Sequence, residues 1–75
     1  MSTLRRAFGA VIRELREGAG ISQERLGQAA KVSRNFVGSI ERGESSLSLD
    51  AADRFAKALN ISLPDLLRRV DQLRR

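Results

Sequence analysis

The chain has 75 residues, 41% of them hydrophobic and 31% charged, with a formal net charge of +5. A domain of this size buries only about 60–65% of the surface its unfolded chain exposes, so one modest core is the limit. With neither Cys nor His present, disulfides, zinc sites of the usual kind and histidine acid–base catalysis are excluded.

The first predicted element is a helix from about Leu4 to Glu17. Ser2 and Thr3 can cap its start, and Leu4, Phe8, Val11, Ile12 and Leu15 recur at helical spacing as one apolar face. Met1 to Ile12 holds two arginines but no uninterrupted apolar core before a small-residue cleavage site. No signal peptide is expected, and the cytoplasm is the default location. Gly18 and Gly20 end this helix. Ser22 caps a second one, with Glu24 in its first turn, Leu26, Ala29 and Ala30 inward, and an end near Lys31. Ser33 caps a third helix through about Glu41, with Phe36, Val37 and Ile40 buried and Gly43 closing it.

A polar loop, Glu44 to Leu49, follows. Asp50 is expected to cap a fourth helix, Ala51 to Leu59, whose inner side is Ala52, Phe55, Ala56 and Leu59. Asn60 suits the position after a helix end. Ser62 then caps a fifth, about 63–74, with Pro64 tolerated in its first turn and an apolar stripe of Leu63, Leu66, Leu67, Val70 and Leu73. No segment alternates with period two over strand length, and no apolar run approaches the ~18–20 residues that span a bilayer. The fold class is all-α.

The stretch that carries chemistry is SQERLGQAAKVSRNFVGSIERG, about 22–42. Two short helices are joined by three or four residues, with Leu26, Val32, Val37 and Ile40 spaced to face one core. Gly27 is placed where a large side chain would hold the pair apart. That spacing is helix-turn-helix spacing, in which the second helix stands out from the surface. The charge agrees: all 14 basic residues except Lys31 and Lys57 are arginines, suited to bidentate contacts with phosphate and guanine.

The chain resembles the Cro/repressor-type (XRE) helix-turn-helix proteins from Phe8 to Leu67. The residues that carry the likeness are Ser22-Gln23, Leu26, Val32-Ser33-Arg34, Ile40-Glu41-Arg42-Gly43 and the tail Ala56 to Ser62. Val37 to Gly43 looks like the controller proteins of restriction–modification systems, which are equally short. The resemblance implies a compact five-helix, lambda-repressor-like domain spanning 1–75. Lys31 departs from the pattern: the family often has Gly or Asn at this left-handed turn, and Lys there costs on the order of 1 kcal/mol.

On that template, Arg34 can donate bidentately to guanine and Asn35 can pair with adenine. Ser39 lies one turn further along the same outer face, and Ser33 at its start. Gly38 also falls on this side, where close approach of the helix to DNA would offset its low helix propensity. Gln23, Arg42, Ser45 and Ser46 are the expected phosphate contacts, which position without reading sequence. Arg16 and Glu41 are expected to pair and link the first helix to the third. Leu66, Val70 and Leu73 are the expected dimer interface, since one recognition helix spans only ~4–5 base pairs and two half-sites raise specificity.

The function implied is a homodimeric transcriptional regulator on a palindromic operator in double-stranded DNA, with RNA polymerase a candidate second partner. The alternatives are a phage or plasmid repressor, or an antitoxin that also binds its own promoter. An enzyme is not expected: Asp50, Asp53 and Asp65 read as caps and surface charges. Neither metal, cofactor, membrane nor small-molecule ligand is expected.

Overall fold

The computed structural model describes residues 3–75. Five helices follow one another: α1 Thr3–Gly18, α2 Gln23–Ala30, α3 Arg34–Glu41, α4 Leu49–Ala58 and α5 Leu63–Leu73. Each of the last four starts on a serine. The hydroxyls of Ser22, Ser33, Ser48 and Ser62 accept from the backbone N–H three residues on, at 3.0–3.1 Å. Such a cap satisfies one of the donors a helix start leaves open, and removing it costs about 1 kcal/mol. The cap of α4 is therefore Ser48 and not Asp50, which lies inside the first turn, where its charge favours the positive helix end. Thr3 is already helical; Ser2, its companion in the expected cap, lies outside the described residues.

Lys31 closes α2 in the left-handed conformation, φ 61° and ψ 43°, and Asn60 does the same after α4 at φ 57°. Asparagine tolerates this region because its short side chain can bond locally. Lysine has no such compensation.

The helices enclose one cluster. Phe8, Val11 and Ile12 of α1 meet Leu26 and Ala30 of α2, Val37 and Ile40 of α3, Ala52, Phe55 and Ala56 of α4, and Leu66 and Val70 of α5. α2 packs on α3 and α4, while α1 bridges α3 and α5. The α1–α3 approach is close because residue 9 is glycine: a Cβ there would stand 2.1 Å from the Ile40 carbonyl oxygen. Gly27 lets the turn fold back similarly, with the Val32 carbonyl oxygen 2.8 Å from its Cβ position.

Several expectations are corrected by this packing. Ala29 is exposed and Phe36 only half-buried. Leu66 and Val70 are 0% and 1% exposed within a single chain, so they cannot form a dimer interface. They lie one turn apart on the side of α5 that packs into the chain's own core. Only Leu73 of that trio stays open, beside Thr3, Arg6 and Ala10 of α1. The unpartnered apolar surface lies elsewhere. Leu4, Leu49 and Leu67 are 48%, 76% and 39% exposed and line one groove with Phe8, Leu47 and Ala52.

Candidate nucleic-acid interface

α3 is held by its inner face and left open on its outer one. Val37 and Ile40 are buried in the core, whereas Ser33, Arg34 and Asn35 are exposed at its N-terminal end. The Ser33 hydroxyl accepts from the Phe36 N–H, so its oxygen is engaged as a cap while its own proton stays available. Arg34 has no ion pair or hydrogen bond within the described residues, and it lines an open cleft with Gln23, Glu24 and Ser22 at the start of α2. The free guanidinium and the Asn35 amide are thus presented together on the first turn, the part of a recognition helix that reaches base edges.

The far end of α3 is anchored by a charged network. The Glu41 carboxylate accepts from Arg16 Nε at 2.6 Å and Arg16 Nη2 at 3.1 Å, and from Gln23 Nε2 at 3.0 Å. Arg16 also donates to the Ile21 carbonyl at 2.9 Å. The Glu41 side chain is 4% exposed and that of Arg16 is 12%. This bidentate bond to the carboxylate raises the Arg16 pKa above the ordinary guanidinium value, outweighing the opposing effect of burial. Three helices meet here: α1 through Arg16, α2 through Gln23 and α3 through Glu41. Gln23 is fixed by this bond, with one amide N–H still unassigned.

Ser39 and Ser45 meet each other. Their hydroxyls share a hydrogen bond at 2.6 Å, tying the outer face of α3 to the loop that follows. Ser46 is exposed and lines the apolar groove beside Ser45. Arg42 Nε donates to Glu44 at 3.0 Å, and the guanidinium folds back along α3. Gly38 is correspondingly buried beneath this chain's own side chains: its Cβ position lies 3.0 Å from Arg42 Nη1 and 3.7 Å from Gln23 Oε1. It is not an open face awaiting DNA.

Two supports escaped the sequence. Arg54 Nε of α4 donates to the Ala30 carbonyl at 2.9 Å, satisfying an acceptor at the end of α2 beside the strained Lys31. Gly9 was the other, and its signal was a glycine inside an otherwise amphipathic helix, which is unfavourable unless something must come close. For Arg54 there was no local signal, because its acceptor is 24 residues away.

Among the described residues no group of acidic side chains could hold a metal ion, and no helix is long and apolar enough to cross a membrane.

The sequence profile of the family described as Helix-turn-helix matches residues 12–66, which contain α2, α3 and the Glu41 anchor. The chain belongs to the helix-turn-helix family. It is 40% identical over 58 residues to the control protein C.SmaI of Serratia marcescens, covering 77% of this chain and 69% of that one. Among solved structures, the restriction–modification controller protein C.AhdI of Aeromonas hydrophila superposes with a TM-score of 0.80 at 39% identity, covering 83% of this chain and 94% of that one. The clp gene regulator ClgR of Corynebacterium glutamicum superposes with a TM-score of 0.87 at 29% identity, covering 97% and 95%. This helix-turn-helix protein is a DNA-binding transcriptional regulator, and the exposed first turn of α3 is its recognition surface.

Proposed function

We propose that the chain is a controller-type regulator of a restriction–modification operon that binds a palindromic operator as a homodimer in the cytoplasm, on the nucleoid. The observation that carries this reading is an anchored recognition helix whose Arg34 is left without a partner. The likeness to two controller proteins adds the subtype. Arg34 and Asn35 read bases in the major groove, with Ser33 and Ser39 beside them. Gln23, Arg42, Ser45 and Ser46 contact phosphates and set the register. RNA polymerase is the second partner of such a regulator at a promoter.

The two-fold reading rests on reach and on surface. Eight residues of α3 make a helix about 12 Å long, enough for one half-site only. The groove of Leu4, Leu49 and Leu67 is the apolar face a second copy would cover.

The test is Arg34→Ala against duplexes selected from a random pool by the wild-type chain. Affinity at the selected site should fall by ~1–3 kcal/mol, with preference relaxed at one base position. An equal loss on every duplex would assign Arg34 to phosphate and remove the base-reading role.

A further inference from the structure

We propose that Gly38 is a positioning residue for DNA binding: its missing Cβ lets the Arg42 guanidinium lie against α3 beside the Gln23 carboxamide, so that the two form one phosphate clamp. The inference deepens the reading of Gln23 and Arg42 as phosphate contacts and rests on it.

Glycine weakens a helix interior relative to alanine, so its presence in the middle of an eight-residue helix needs a reason. No backbone atom of another element supplies one. The three nearest atoms to the Gly38 Cβ position are Arg42 Nη1 at 3.0 Å and Gln23 Oε1 and Nε2 at 3.7 and 3.8 Å, all side-chain ends. Gly9 and Gly27 differ in kind, since backbone carbonyls crowd both. At Gly38 the fold therefore tolerates a methyl group, and what must move is Arg42.

The two donors converge on one point in space, a spacing that a single phosphate group spans. Their remaining capacity fits the task. Gln23 gives one N–H to Glu41 and keeps the other, and Arg42 gives Nε to Glu44 and keeps both terminal nitrogens. Glu44 fixes the Arg42 stem from behind, and the Arg16–Glu41 pair fixes Gln23. Arg42 is also at the negative C-terminal end of α3, where a cation is favoured. A methyl group at position 38 pushes into the contact at Arg42 Nη1 and turns the guanidinium out into solvent.

The experiment measures binding of Gly38→Ala, Arg42→Ala and the double variant to a selected duplex and to a random-sequence duplex, across a salt series, beside thermal melting of each protein. Gly38→Ala should melt at or above the wild-type temperature while binding both duplexes more weakly, with a salt slope smaller by about 0.9, the value of one lost phosphate contact. In the Arg42→Ala background the glycine replacement should change nothing further. Wild-type binding by Gly38→Ala overturns the positioning role, as does a loss that adds fully to that of Arg42→Ala. A lowered melting temperature assigns Gly38 to packing and also overturns it. If Arg42→Ala itself binds with an unchanged slope, the phosphate reading falls first and the clamp with it.

Discussion

Replacing Glu41 with Ala tests whether the charged network anchors α3. Three hydrogen bonds are lost at once, two from Arg16 and one from Gln23. The Arg16 guanidinium is then left 12% exposed with the Ile21 carbonyl as its remaining printed partner. Removing one member of a buried ion pair costs about 3–5 kcal/mol, because the other charge stays desolvated. The surviving bond to Ile21 and the small residual exposure place this case near the lower end, about 3 kcal/mol. At about 4–8 °C per kcal/mol for a domain of this size, melting should fall by about 12–24 °C. Circular dichroism melts and urea titrations of Glu41→Ala, Arg16→Ala and the double variant supply the cycle. The double variant should lose far less than the sum of the two singles, since neither charge is then left alone. A loss below about 1 kcal/mol for Glu41→Ala, or strictly additive singles, would refute the anchoring argument.

Three further outcomes follow from the packing. Leu49→Asp and Leu67→Asp should each yield a particle of the single-chain mass, 8.3 kDa, by light scattering where the wild type gives twice that; an unchanged mass would move the interface off this groove. Gly9→Ala should destabilise by about 1–3 kcal/mol despite better helix propensity, because its Cβ meets the Ile40 carbonyl at 2.1 Å; a rise in the urea midpoint would contradict the α1–α3 crossing. Lys31→Gly should raise stability by about 0.5–1 kcal/mol, the left-handed strain relieved less the added freedom of the unfolded chain, and a fall in the urea midpoint would show that the lysine side chain contributes more than its backbone costs.

Much of the architecture was legible in the order of residues. Serine caps at 22, 33 and 62, the apolar stripes between them and the left-handed Lys31 act through bonds three or four residues long, which a sequence displays directly. The cap at Ser48 was missed because two capping residues, Ser48 and Asp50, stand two apart, and local chemistry alone does not choose between them.

What the sequence by itself determined is the set of five helices, their all-α class, the helix-turn-helix spacing and the polar side that α3 turns outward. What only the tertiary structure decided is which apolar residues remain for a partner and which polar ones remain for DNA. Leu66 and Val70 carried the same stripe as Leu67 and Leu73, but only the packing of α5 into the core says which pair is buried. Ser39 and Ser45 both looked open, yet they satisfy each other, and Gly38 looked bare while Arg42 covers it. The physical reason is that amphipathic periodicity records a helix's preference for burial on one side, whereas the partner that meets that side comes from elements tens of residues away.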